Sequence, residues 1–224
     1  MKLLFLGTGA ADWKPEHRED PGYRRYSSTL VDGTLLIDPG PHVPEALERA
    51  GIAPGEVKYI LNTHRHGDHY NKATLEALLA AGARFVETHV GEVAQFGKYT
   101  VTPLRGNHST EVQHFLISDG ERTFFYGLDA AWLLYEEFQA IKAAAPIDYA
   151  VLDATLGFID GDYRAFEHNN LHMVLQQKSV LAPHVKRFCI SHMARKFHLT
   201  HEWLTAQMLP HGIEVAFDGY ETEI

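Results

Sequence analysis

Cysteine is nearly absent from this sequence, since Cys189 is the only one among 224 residues. A single cysteine cannot form a disulfide within the chain, and such low usage is typical of a reducing compartment. Cys189 lies within an apolar run that is typical of a strand, so we interpret it as a buried packing residue.

Long hydrophobic runs are also missing. No segment approaches the roughly 18 apolar residues of a membrane span. The apolar run that begins at Met1 stops at Gly7, which makes it shorter than the roughly 7–15 apolar residues of a signal peptide. We therefore predict a cytoplasmic protein that has no membrane partner.

Positive charge is scarce as well. Lysine and arginine number 20 against 29 aspartate and glutamate residues, which gives a formal net charge of −9. This balance disfavours broad binding of nucleic acid, which usually needs a basic face. It still permits a small phosphate ester, because divalent ions can reverse the local potential inside an acidic protein.

One short stretch is dense in histidine and aspartate: Thr63-His64-Arg65-His66-Gly67-Asp68-His69. It follows an apolar run, residues 57–61, that is typical of a buried strand. Imidazole and carboxylate together suit zinc, manganese and iron. A tight loop after a strand can direct His64 and His66 at one ion and Asp68 and His69 at a second. Two ions roughly 3.5–4 Å apart can hold a bridging hydroxide and polarise a phosphoryl or carbonyl group.

Two alternative interpretations of this loop are a histidine cluster on the surface and a site for a single structural metal. Structural zinc sites usually include cysteine, and the loop has none. The composition of the loop therefore favours a catalytic metal pair.

This motif resembles the signature of the metallo-β-lactamase superfamily. The opening residues 4–10, Leu-Phe-Leu-Gly-Thr-Gly-Ala, are similar to the start of its ribonuclease Z and phosphodiesterase branch. Residues 212–219 are similar to the end of the phosphoribosyl 1,2-cyclic phosphate phosphodiesterases of phosphonate breakdown. The resemblance implies an α+β fold, a four-layer αββα sandwich, and a metal-dependent hydrolase.

Hydrophobic periodicity predicts alternating strands and helices. Strands are predicted near residues 2–6, 28–32, 34–38, 57–61, 84–88, 99–104, 112–118, 121–127, 147–153, 186–191 and 213–223. Helices are predicted near residues 43–50, 71–81, 131–143, 169–181 and 199–209. The chain has neither a linker rich in Pro, Gly or Ser nor an internal repeat, so we predict a single domain, residues 1–224.

Polar residues that can bind metal recur just after predicted strands: Asp38, His108, Asp129 and His192. Loops at strand ends are where a rigid scaffold holds functional side chains. The resemblance to the superfamily implies two metal sites that share Asp129: His64, His66 and His108 at the first, and Asp68, His69 and His192 at the second. The same resemblance implies that Asp38 orients the loop that carries His69 without binding metal.

Each of these assignments has an alternative. His108 could be an ordinary loop histidine, and Asp129 could be a helix N-cap. His184 is a rival of His192, but it precedes its strand and is expected at the opposite end of the sheet. Five of the other histidines, His89, His114, His198, His201 and His211, are interpreted as surface or packing residues.

Two residues are candidates for catalysis. Asp68 would anchor the second ion and steer a proton. His168 resembles a site histidine of the cyclic phosphodiesterases and could protonate the leaving alkoxide. The alternative for His168 is a helix-start residue, with Asn169 or Asn170 as the cap.

Arg24 and Arg25 follow a long polar loop. Their guanidinium groups could bind phosphate at the mouth of the site, and solvent-exposed arginines are the equal alternative.

Together these observations predict a dinuclear metal-dependent hydrolase. The most favoured activity is that of a phosphodiesterase, in which a metal-bridging hydroxide attacks a small cyclic or nucleotide-like phosphate ester. Alternatives are a lactone or thioester hydrolase with the same metal pair, a ribonuclease Z-like tRNA-processing nuclease, and a metal-binding regulator without turnover. Two divalent ions are expected, manganese or zinc with iron as an option, and monomer and homodimer remain open.

Overall fold

A computed structural model describes residues 1–224, and its strands and helices divide the chain into short elements. The strands are β1 (Lys2–Gly7), β2 (Ser28–Val31), β3 (Leu35–Ile37), β4 (Tyr59–Leu61), β5 (Arg84–Phe85), β6 (Ala94–Phe96), β7 (Tyr99–Arg105), β8 (Gln113–Ser118), β9 (Thr123–Gly127), β10 (Ile147–Asp153), β11 (Val185–Ser191), β12 (Ile213–Val215) and β13 (Glu221–Glu223). The helices are α1 (Val43–Arg49), α2 (Lys72–Ala80), α3 (Tyr135–Ala144), α4 (Leu171–Leu181) and α5 (His201–Met208).

The chain forms two compact units. Unit 1 comprises Met1–Glu87 and Ala216–Ile224, and unit 2 comprises Thr88–Val215. The prediction of a single domain stays a prediction. No helix combines the length and the apolar character that crossing a membrane requires.

Unit 1 contains a mixed sheet in the order β13-β1-β2-β3-β4-β5. Its apolar cluster includes Leu4, Leu36 and Ile60 together with residues of α1 and α2. Helix α2 begins where the Asn71 side chain accepts the Thr74 N–H at 3.0 Å. Strands β3 and β4 are parallel neighbours, so their carboxyl ends lie side by side, with Asp38 after one and the histidine-rich loop after the other.

Unit 2 contains the second mixed sheet, in the order β12-β11-β10-β9-β8-β7-β6. Its apolar core contains strand residues from Leu116 to Val215, and residues of α3, α4 and α5 pack with them. Strands β9, β10, β11 and β12 are parallel, whereas β6 to β9 pair in an antiparallel way. The carboxyl ends of β9, β10 and β11 therefore meet at one edge, where polar loops follow each strand.

The elements agree with the sequence prediction except at a few places. The strand predicted over residues 213–223 is wrong, because β12 pairs in the sheet of unit 2 and β13 in that of unit 1. The short strand β6 was not predicted. The helix predicted from residue 131 begins at Tyr135, because Leu134 is extended and its N–H is held by the Glu137 side chain. Cys189 is fully buried in β11, as predicted.

Candidate functional site

In unit 1, the predicted ligands lie together in the loop between β4 and α2. We call Asp38, His64, His66, Asp68 and His69 the unit 1 cluster. The ring of His64 lies 4.5 Å from that of His66 and 4.5 Å from that of His69. The Nε2 atom of His69 is 3.4 Å from Asp68 Oδ2. His64, Asp68 and His69 are all buried, so these polar groups are held away from bulk water.

Asp38 fixes the orientation of the imidazole groups in this cluster. Its carboxylate is fully buried and accepts the Thr63 backbone N–H at 2.7 Å. Asp38 Oδ2 lies 2.8 Å from His69 Nδ1, which leaves the Nε2 of His69 facing Asp68. The Thr63 hydroxyl donates to Asp38 and lies 3.0 Å from His64 Nδ1. This is the orienting role that the sequence predicted for Asp38, and such hydrogen bonds set which ring nitrogen can bind a metal.

In unit 2, separate loops bring a second set of side chains together. We call His108, Asp129, Asp153, His168 and His192 the unit 2 cluster. Asp129 Oδ1 is 3.1 Å from His168 Nδ1 and 3.8 Å from His192 Nε2. Asp129 Oδ2 is 4.0 Å from His108 Nε2. Asp129 therefore presents both of its oxygens to histidines of this cluster.

The histidines of unit 2 are oriented in the same way as those of unit 1. His108 Nδ1 lies 3.2 Å from the Glu167 carbonyl, which only accepts, so the lone pair of His108 is on Nε2. His192 Nδ1 lies 2.7 Å from the Thr155 hydroxyl, which in turn donates to Asp153 at 2.8 Å. Both rings thus turn Nε2 towards Asp129.

Asp153 is the candidate site residue that sequence reasoning missed. It is fully buried and accepts the backbone N–H groups of Asp129 at 3.2 Å and Asn169 at 2.9 Å. Burial raises the pKa of Asp153, but hydrogen bonds from His168 and His192 outweigh this and hold the pKa well below its ordinary value. The signal was present, because Asp153 ends the predicted strand 147–153 just as the other candidates follow theirs.

His168 lies within the unit 2 cluster. Its ring is 5.2 Å from that of His108 and 5.7 Å from that of His192. Burial lowers the pKa of His168, but the hydrogen bond to Asp153 outweighs it and the net shift is upward. Helix α4 is capped by Asn170, which accepts the Met173 N–H at 2.9 Å, as the alternative for His168 expected. His168 lies two residues before this cap.

Two of the alternatives raised by the sequence are wrong. Helix α3 has Leu134 at its N-cap, so Asp129 does not cap a helix. His184 precedes β11 and packs against Phe138, with ring centroids 5.9 Å apart, whereas His192 lies in the cluster.

Arg24 and Arg25 have structural partners in unit 1. Arg24 is buried, and its Nη1 donates to Thr8 Oγ1 at 2.7 Å and to the Ala216 carbonyl at 3.0 Å. The Nε of Arg25 donates to the Leu6 carbonyl at 2.9 Å. The alternative of an exposed Arg24 is therefore wrong, and both guanidinium groups serve the internal structure of the unit.

Comparisons with known proteins show which family and folds the chain resembles. Residues 22–75 match the family model of the metallo-β-lactamase superfamily. Ribonuclease Z of Pyrococcus furiosus is 37% identical over 70 residues, which are 31% of this chain, and the match spans only 22% of that relative's length. The structure of Zn²⁺-bound PqqB from Methylobacterium extorquens has a TM-score of 0.78 at 15% identity, covering 100% of both chains. A diphosphatase from the PhnP family has a TM-score of 0.73 at 22% identity, covering 100% of this chain and 97% of the other.

The shared fold confirms the α+β fold that the sequence predicted. The family-model match covers residues 22–75, which include the histidine-rich loop. The likenesses are divided between a ribonuclease Z and a PhnP-family diphosphatase. Membership of the superfamily and the branch within it therefore stay predictions.

Proposed function

We propose that the chain is a dinuclear metal-dependent hydrolase, and more narrowly a phosphodiesterase that cleaves a small cyclic or nucleotide-like phosphate ester. The observation that supports this most is an arrangement found in both units. A buried aspartate holds a histidine through Nδ1, and the Nε2 of that histidine faces a second aspartate. Metal-binding histidines in proteins are usually oriented by such a partner on the other ring nitrogen.

The donor set fits divalent metal ions. It consists of imidazole and carboxylate groups without a thiolate, which suits manganese, zinc or iron. We propose the ligand assignment that the sequence resemblance implies, with two ions that share Asp129: His64, His66 and His108 for one, and Asp68, His69 and His192 for the other. Two divalent ions held there would acidify a water molecule and neutralise charge on the ester oxygens.

Asp68 and His168 have the proton-handling roles in this proposal. Asp68 is buried and lies against His69, so it can anchor the second ion and accept a proton from water beside it. The ring of His168 lies beside His108 and His192, and 14% of its side chain is exposed. An imidazole held at that place can give a proton to the departing alkoxide.

The substrate class follows from charge. A chain with a net charge of −9 lacks the basic surface that a polynucleotide usually needs, so a small ester is favoured. Ribonuclease Z-like processing of tRNA is the second candidate, because the local match to a ribonuclease Z favours it.

The test is turnover by metal-stripped protein reloaded with manganese or zinc. The substrates are bis(p-nitrophenyl) phosphate, a lactone, a thioester and a precursor tRNA, and His66→Ala is the control. Metal-dependent cleavage of the phosphodiester alone would support the proposal. Cleavage of the carbon esters only would replace the substrate class, and cleavage of the tRNA only would favour the second candidate. If the metal-loaded protein cleaves none of the four substrates, the proposal of a phosphodiesterase is wrong.

A further inference from the structure

Unit 2 buries another acid–imidazole pair outside its cluster. His114 on β8 and Glu137 on α3 have side chains that are each 1% exposed, and Glu137 Oε1 lies 2.5 Å from His114 Nδ1. Burying such a pair carries a large desolvation penalty unless the remaining polar atoms are also satisfied. Here they are, because Glu137 Oε2 accepts the Leu134 N–H at 2.8 Å and His114 Nε2 lies 3.1 Å from the Leu128 carbonyl.

The Leu128 contact reaches the peptide that carries Asp129. The Leu128 carbonyl only accepts, so His114 Nε2 must be the donor. On the other edge of the same peptide, the Asp129 N–H donates to Asp153 at 3.2 Å. A peptide group is planar, so hydrogen bonds at both edges fix its orientation.

Asp129 needs this support because its backbone is strained. Its φ is 58°, in the left-handed region that residues with a side chain adopt at a cost of roughly 1–3 kcal/mol. Rotation of the preceding peptide is the simplest way to relax such a residue. The hydrogen bond from His114 opposes that rotation and so keeps the Asp129 carboxylate among the histidines of the cluster.

The same imidazole touches the segment that carries His108. A Cβ on Gly106 would lie 2.8 Å from His114 Nε2, so the ring packs directly on the Gly106 backbone. The two segments are joined as well, since the Ala131 N–H donates to the Asn107 carbonyl at 2.9 Å. One buried ring therefore supports the backbone next to two candidate ligands.

We propose that His114 and Glu137 are positioning residues that hold the backbone of Asp129 and His108 for metal binding. The proposal rests on the proposed function of the cluster. Glu137 acts through His114, because its carboxylate accepts from Nδ1 and so stabilises the doubly protonated ring, in which Nε2 also keeps its proton for Leu128. The sequence predicted His114 as a packing residue, and its polar contacts give that position a second role.

The test compares three variants with wild type. His114→Phe keeps a buried ring but removes the hydrogen bond to Leu128. Glu137→Ala removes the partner of Nδ1. Glu137→Gln keeps the support, since the amide can donate to Nδ1 and its oxygen can accept the Leu134 N–H. Tyr149→Phe is the matched control. It removes a partly buried hydrogen bond of 2.7 Å from the buried Tyr149 to Glu214, outside the segments that carry the candidate ligands.

Two readouts are needed. Calorimetric titration of metal-stripped protein with Mn²⁺ or Zn²⁺ should show about 10–100-fold weaker binding for His114→Phe and Glu137→Ala, as expected when an orienting partner is lost. Glu137→Gln and Tyr149→Phe should stay close to wild type. Amide hydrogen exchange in the metal-free protein should become faster at Asp129 in His114→Phe and remain unchanged in Tyr149→Phe.

The outcomes separate this inference from the proposed function. Wild-type affinity and unchanged exchange at Asp129 in His114→Phe would overturn the inference and leave the function standing. If the wild-type protein binds no divalent ion, the proposed function is wrong. Amide hydrogen exchange at Asp129 would then decide whether His114 positions this backbone. If His114→Phe does not fold, equal affinity of Glu137→Ala and Glu137→Gln would overturn the inference.

Discussion

The clusters of unit 1 and unit 2 are built on the same plan from differently arranged segments of chain. In unit 1, Asp38 and Thr63 hold the Nδ1 atoms of His69 and His64. In unit 2, Asp153 and Thr155 together hold Nδ1 of His192. Each aspartate is fully buried and also accepts backbone N–H groups, so it fixes the loop as well as the ring.

The difference lies in how the ligands are gathered. Unit 1 takes its histidines from one loop after β4, whereas unit 2 takes its cluster from loops after β7, β9, β10 and β11. A single loop can keep its geometry through local hydrogen bonds. The unit 2 cluster instead depends on the register of parallel strands and on supports such as His114. We therefore expect distant substitutions to disturb unit 2 more than unit 1.

The largest effect is expected at the carboxylates that face the histidines. Asp129 faces His108, His168 and His192, whereas Asp68 faces His69. Asp129→Asn should release both ions and lower kcat/KM by about 10³-fold, a loss of several kcal/mol in transition-state stabilisation. Asp68→Asn should release one ion. Metal content per chain and turnover of bis(p-nitrophenyl) phosphate measure both, and two retained ions in Asp129→Asn would contradict the sharing of that residue.

The next effect concerns His168, which has no counterpart in unit 1. His168→Ala should keep both ions and lower turnover about 10²-fold on esters with poor leaving groups, the contribution typical of a general acid. Esters with good leaving groups should be affected much less, since they need no proton. His66→Ala, by contrast, should lose metal and activity together. Full activity of His168→Ala on poor leaving groups would remove His168 from the mechanism.

A smaller effect tests whether the two units really share a plan. Asp38→Asn and Asp153→Asn each replace an oxygen that faces a histidine Nδ1 with an amide. Both should weaken metal binding about 10–100-fold, by similar factors, in calorimetric titration. If only one of the two variants binds metal more weakly, the clusters share a geometry but not a common role for the buried aspartate.

The smallest effect is expected at Asp148, near the start of strand β10. It serves as a control for Asp153, which ends the same strand. Burial raises the pKa of Asp148, but hydrogen bonds from Lys186 and Thr123 outweigh it and the pKa is lowered. A carboxylate with a lowered pKa stabilises the fold above its unfolded pKa of about 3.9, and this is lost as pH falls through the folded value. Asp148→Asn should lower the free energy of unfolding by about 0.5–1 kcal/mol near neutral pH, since its cationic partners are solvated.

Denaturant titration at several pH values measures this difference. The gap between wild type and Asp148→Asn should shrink as the pH falls below about 4. Metal affinity should not change, because Asp148 lies at the opposite end of β10 from the cluster. A gap that persists in acid would mean that the charge of Asp148 does not carry the effect.

The same contrast explains what the sequence could predict. The candidate ligands of unit 1 lie close together in sequence, so residue types and spacing were enough to propose them. The candidate ligands of unit 2 are scattered, and only the resemblance to a superfamily assigned them. Asp153 was missed because it ends a strand, and a terminal strand residue is as easily a packing or capping residue.

Other errors came from tertiary structure that no local pattern contains. Residues 213–223 have strand character throughout, but the pattern does not say that the two ends join different sheets. Arg24 follows a polar loop and was expected to bind phosphate or face solvent, yet it is buried against Thr8. Both outcomes depend on which distant segment supplies the partner.

Unit 1 is discontinuous, and this affects how the chain can fold during its synthesis. Strand β13 pairs with β1, and Asp218 accepts the Arg25 backbone N–H at 2.6 Å. Residues 1–87 thus leave the ribosome long before residues 216–224, by on the order of ten seconds at usual elongation rates. During that delay the nascent chain presents β1 as an apolar edge strand, which is the kind of surface that chaperones cover and aggregates exploit. Unit 2 is continuous in sequence and can complete its sheet first.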